Sequence, residues 1–223
     1  MLSRRLAVTV ALSAVAVLAA GCGVSADDWS GPHAKPVAIG SLGPGFTDPA
    51  APPTPESTVT PAAGSWAGVH PPAGYRVVLI SAGSDRATGV LADAVAAWAE
   101  QEGVSLKTLH ADDSGRHVGV VVEAMALRPA LIVSAGNDLV DALTVVTANH
   151  LDQQFLVLGA ELAEPTVNVT AANWPGASFR GEGLTTSTGY DPASFTQARA
   201  AAAIRAGVAS VLHDVTGIVL RLP

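Results

Sequence analysis

Cysteine is nearly absent from this chain, and Cys22 is the only one. A lone thiol excludes an intramolecular disulfide and any metal site built from several thiolates. Lysine is almost as scarce, with Lys35 and Lys107 alone, and charged residues fill only 14% of the 223 positions. The formal charge is −7, and no basic stripe is present to follow a phosphate backbone, so nucleic acid is not an expected partner. Aromatic side chains are few, at 4%. Signatures of catalysis are missing too. There is no Gly-x-Ser-x-Gly elbow, no Walker loop and no Gly-x-Gly-x-x-Gly after a strand, so neither an enzyme nor a bound cofactor is expected. What the chain has is aliphatic bulk. Its 49% apolar content is ample for a packed core and inconsistent with general disorder.

Residues 1–21 have the plan of an export segment. Arg4 and Arg5 form its positive end, and an apolar run over 6–20 closes on small residues. The run is short for a membrane span. It ends in Leu18-Ala19-Ala20-Gly21-Cys22, which resembles the lipobox of bacterial lipoproteins, with Ala19 where Leu is commoner. The resemblance implies cleavage before Cys22 and lipidation of its thiol. The mature chain would then sit on the extracytoplasmic face of the cell membrane, lipid-anchored. Several acyl chains on one residue give stable anchoring where a single chain does not.

Residues 23–74 hold ten of the fifteen prolines. Proline fixes φ and removes a donor, so residues 22–74 read as a lipidated cysteine followed by an extended tether, with Trp29 and Trp66 able to dock onto a following domain.

That domain is expected over 75–223, and it is organised around a repeat. Ile80-Ser81-Ala82-Gly83-Ser84-Asp85 and Val133-Ser134-Ala135-Gly136-Asn137-Asp138 each follow a short β-branched run and open a segment with helical spacing. A strand entering a helix through Gly and a short polar residue is the turn of a βα unit, and the polar residue is placed to cap the helix. Alternating patterns predict strands over 76–82, 105–110, 130–134, 154–159, 167–171 and 217–222. The helices between them start near 86, 118 and 140, and a last one runs from Asp191-Pro192 to about 213. The fold class is therefore α/β, a single doubly wound, mainly parallel sheet of six strands. Strands 76–82 and 130–134 are expected side by side at its centre, because both are apolar without alternation. Ligands of such a sheet gather at the carboxyl-end loops, which makes Ser84, Asp85, Asn137 and Asp138 the candidate ligand-binding residues. The competing use of these residues is plain helix capping.

Lipobox, tether and successive βα steps together resemble the first lobe of a type I periplasmic binding protein. The nearest likeness is to the basic-membrane-protein family, substrate-binding lipoproteins of ABC importers for nucleosides and similar molecules. Phe179-Arg180-Gly181-Glu182-Gly183 is similar to that family's Phe-Arg-x-x-Glu-Gly stretch, and Thr216-Gly217-Ile218-Val219 to the strand opening its second lobe. The resemblance implies a small nucleoside- or sugar-like ligand and an ABC permease as partners. Two departures stand beside it: Ser84 to Thr88 lacks the family's stacking aromatic, and the chain stops where a second lobe would begin. A second copy of the chain is one way to close the pocket.

His110, Asp112, Asp113 and His117 cluster at one turn without the spacing of a zinc or calcium motif, so they are expected to be a solvated turn and no metal site is assigned. Asn168-Val169-Thr170 fits a glycosylation sequon. The alternative to a solute-binding lobe is a structural or interaction lipoprotein of the cell envelope that uses the α/β domain as a docking surface.

Overall fold

The computed structural model describes Trp29, residues 31–177 and residues 189–223. The expected export segment over residues 1–21, Cys22 and Phe179-Arg180-Gly181-Glu182-Gly183 lie outside the described residues.

Seven strands are found among the described residues: β1 (Thr58–Val59), β2 (Arg76–Ala82), β3 (Ser105–Ala111), β4 (Leu131–Ala135), β5 (Phe155–Leu158), β6 (Val169–Asn173) and β7 (Val219–Arg221). They form one sheet in the order β1-β7-β6-β5-β4-β2-β3, and every pairing is parallel. Helices α1 (Arg86–Glu102), α2 (His117–Ala126), α3 (Val140–Thr147) and α4 (Gln197–Leu212) cover it. Because successive side chains of a strand point to opposite faces, β2 feeds two cores. Val77 and Leu79 pack with Leu91, Ile204 and Val208 of α1 and α4. Val78 and Ile80 pack with Val120, Val140 and Leu143 of α2 and α3. Each such aliphatic side chain contributes about 1.5–3 kcal/mol when fully buried, which is why these strands are apolar throughout.

Strands 76–82 and 130–134 are adjacent as expected, with Val77 opposite Leu131 and Ser81 opposite Ala135. They are not at the centre. That position belongs to β5, because β6, β7 and β1 all add on one side while only β3 lies beyond β2. β3 is a half-exposed edge strand.

The seventh strand comes from the proline-rich segment, and here the structure departs from an extended tether. Thr58 and Val59 pair in parallel with Val219 and Leu220. Phe46, Trp66 and Val69 are buried in the α1–α4 core. Trp29 is buried in the opposite one, where its indole nitrogen donates to Ser105 Oγ at 3.0 Å and the Lys107 ammonium lies 4.6 Å from the ring centroid. Proline spacing reported the missing amides. Trp29 and Trp66 dock on the domain as the sequence allowed, but proline spacing could not report that Phe46 joins the core or that Thr58 and Val59 add a strand.

The last helix also starts later than Asp191-Pro192 suggests. Asp191 caps only one short turn over Pro192–Ser194, accepting from the Ala193 amide at 2.9 Å. The chain then breaks at Phe195 (φ −79°, ψ 88°), whose ring is buried edge-on against Trp174 at 5.1 Å. Thr196 recaps the chain, accepting from the Arg199 amide at 3.3 Å. Burying an aromatic ring outweighed continuity of one helix. Among the described residues no helix is long and apolar enough to cross a membrane.

Candidate functional site

Right-handed crossovers decide where a crevice opens. From β2 the chain crosses outward to β3 and places α1 on one face. From β4 it crosses the other way to β5 and places α3 on the opposite face. The loops leaving β2 and β4 therefore diverge, and the gap between them lies at the carboxyl ends of the strands. Both turns of the sequence repeat border this gap.

Gly83 (φ +73°) and Gly136 (φ +84°) both adopt the left-handed backbone that favours glycine, and both face a polar neighbour. A Cβ at Gly83 would lie 2.5 Å from Asp138 Oδ2 and 3.9 Å from Asp85 Oδ2. One at Gly136 would lie 2.7 Å from Thr88 Oγ1. Each turn thus leaves room for a side chain of the other, and the two carboxylates flank a single glycine.

The cavity so formed has a volume of about 430 Å³ and is lined by Asp85, Ala87, Thr88, Gly136, Asn137, Asp138, Tyr190 and Phe195. Asp85 is the N-cap of α1, its Oδ1 accepting from the Thr88 amide at 3.1 Å. Partial burial pushes the Asp85 carboxyl up, but hydrogen bonds from the Thr88 side chain and the amides of Thr88 and Ala87 together hold it below its ordinary value. The second turn differs. Helix α3 starts after Leu139 with no side-chain cap, so Asp138 is exposed and does not cap its helix. Asn137 lines the cavity with a buried Oδ1 that has no hydrogen-bond partner among the described residues. Ser84, grouped with these residues by the sequence, sits exposed in its turn and does not line the cavity.

Thr88, Tyr190 and Phe195 carried no signal that singled them out. Thr88 is the third residue of α1. Tyr190 and Phe195 reach the cavity from the far end of the chain, their rings 5.8 Å apart, and supply the aromatic surface missing after β2. Burial raises the Tyr190 hydroxyl pKa, and the negative charges of Asp85, Asp138 and Asp191 raise it further. The cavity therefore lies in a negative field.

Other candidates resolve differently. His110 hydrogen-bonds Ser81 Oγ at 3.0 Å, with Asp112 4.0 Å from its other nitrogen. No group of three or more potential metal ligands is found among the described residues. Asn168 is fully buried and donates to the carbonyls of Thr147, His150 and Gln153, so the sequon is a structural clamp closed to a glycosyl group. Trp174 is buried, donating to Ser194 Oγ at 3.0 Å. A larger cavity of about 720 Å³ opens at the opposite edge of the sheet, beside Tyr75, Pro129 and Gln154. Its volume favours it. Yet the Lys35 ammonium there is already paired with Asp214 at 2.8 Å, and no repeated turn converges on it.

No protein-family model and no curated protein sequence matches the chain. Among solved structures it is similar to an ABC transporter solute-binding protein from Aeropyrum pernix K1, with 19% identity and a TM-score of 0.41 over 45% of this chain and 29% of that one. It is also similar to an ABC transporter solute-binding protein from Conexibacter woesei DSM 14684, with 22% identity and a TM-score of 0.38 over 44% of this chain and 35% of the other. A protein fragment from Peptoclostridium difficile 630 aligns at 14% identity and a TM-score of 0.44 over 63% of this chain and 99% of the fragment. The aligned part thus spans only 29% and 35% of the two solute-binding proteins, and none of these likenesses carries a function over to this chain.

Proposed function

We propose that the protein is a membrane-anchored extracytoplasmic lipoprotein whose α/β lobe binds a small, nucleoside- or sugar-like molecule at the carboxyl ends of β2 and β4. The observation that carries this reading is the convergence of the two repeated turns on one cavity, with Asp85 and Asp138 flanking Gly83. Carboxylates accept hydrogen bonds and do not donate them, which suits a ligand rich in hydroxyl groups, and the exposed ring of Tyr190 offers a face for an apolar ring. The lipobox ending in Cys22 supports the anchoring, and a permease of the ABC class fits as the partner of such a lobe. The basic-membrane-protein assignment is the finer form of the same reading and rests on the short stretches around Phe179 and Thr216.

A thermal-shift panel of nucleosides and sugars tests the binding. At least one compound should raise the melting temperature, and Asp85→Asn and Asp138→Asn should each weaken that effect. Asn retains the capping bond at position 85, so that variant should lower the melting temperature of the unliganded protein only slightly, through loss of the favoured negative charge. Asp138 does not cap its helix, so its variant should leave that temperature nearly unchanged. A stabilising compound indifferent to both substitutions would place the site elsewhere.

A further inference from the structure

We propose that the cavity between Asp85 and Asp138 selects an organic cation, a protonated amine carried on a hydroxylated frame in the manner of an amino sugar, over neutral or anionic compounds; this rests on reading the cavity as the ligand site. Its described lining contains two carboxylates and no basic side chain. The starts of α1 and α3 bring about half a positive charge each to the same edge, against a full negative charge on each aspartate, so the balance stays negative. An anion has little to gain at α1, because Asp85 already occupies the Thr88 amide. The other polar groups favour a donor. Asp85 keeps a second oxygen turned toward Gly83, Asp138 places Oδ2 there, and Asn137 Oδ1 is buried without a partner among the described residues. An ammonium group supplies three donors from one atom and sets its positive charge beside two carboxylates. The half-exposed ring of Tyr190 gives the same cation an aromatic face.

Isothermal titration of the full chain in detergent at low salt separates the possibilities. Glucosamine, glucose and N-acetylglucosamine share a ring and differ in charge; ethanolamine, adenosine and inorganic phosphate extend the set. Glucosamine or ethanolamine should bind at least tenfold more tightly than every neutral compound and should weaken as salt is added. Asp138→Asn should weaken that amine tenfold or more without shifting the melting temperature of the unliganded chain. A neutral sugar or nucleoside binding as tightly as the amines, and still sensitive to Asp138→Asn, overturns the charge selection while the ligand site stands. Tight phosphate binding overturns it as well, as does amine binding indifferent to Asp138→Asn. If no compound of any class binds, the reading of the cavity as a ligand site fails and the cation proposal fails with it.

Discussion

The carboxylate of Asp138, at the end of one strand, stands over the backbone of Gly83 at the end of the next, with Oδ2 2.5 Å from where a Cβ would be. The contact exists only because position 83 has no side chain and a φ of +73°. Gly83→Ala should destabilise the fold by about 1 kcal/mol through the left-handed backbone and should push Asp138 out of the cavity. Urea unfolding measures the first effect, and loss of ligand stabilisation in the thermal-shift panel measures the second. Unchanged behaviour in both would mean that the two turns do not meet.

The proposed anchoring rests on one atom. Cys22→Ala removes the only thiol and should release the protein into the soluble fraction or leave an uncleaved precursor. Membrane fractionation decides: a variant processed and partitioned like the wild type would remove the lipoprotein reading.

The proline-rich segment is expected to be part of the folding unit. Phe46 is 1% exposed and belongs to the α1–α4 core, so Phe46→Ala should cost about 3–5 kcal/mol, the usual range for a buried aromatic. A chain beginning at Tyr75 would lose Trp29, Phe46, Trp66 and β1 together and should unfold at lower urea. Equal stability of the shortened and complete chains would show that the segment is only a tether.

Glu161 gives the fold a pH dependence. It is 6% exposed. Burial raises its carboxyl above the ordinary value, against the opposing charge of Arg221 and the hydrogen bond from Asn173. A carboxyl raised in the folded state holds its proton more tightly there than in the unfolded chain. Its contribution is therefore fully present below the unfolded value and is lost as pH rises through the folded one. Glu161→Gln should flatten this decline in mildly acid solution. Asp85 and Glu102, both held below their ordinary values, act with the opposite slope and lose stability as pH falls. Denaturant midpoints measured across the acid range would show a Glu161→Gln curve parallel to the wild type if this assignment were mistaken.

Local chemistry determined much of this protein in advance. The helix from Arg86 to Glu102 is written in its spacing, in Asp85 as its first cap and in Gly103, at φ +65°, as its last. The strands under both cores are written in unbroken aliphatic runs, since a strand covered on two faces has no polar side to show. The repeated Gly–polar turns named Asp85 and Asp138 as neighbours, because βα turns of parallel strands must share an edge. Other features depended on contacts between distant segments. Trp29 and Trp66 stood out as aromatic residues able to dock, but nothing near Phe46 or Thr58 announces that a proline-rich stretch will complete a core and add a strand. Nothing near Tyr190 or Phe195 announces that their rings will wall a cavity begun at residues 85–88. The capping roles also diverged, Asp85 satisfying an amide while Asp138 was left to face the gap. Sequence patterns record what each segment needs, an apolar face or a capped end. Which partner meets that need is decided by packing, where burial of a large ring outweighs the preferences of the few residues around it.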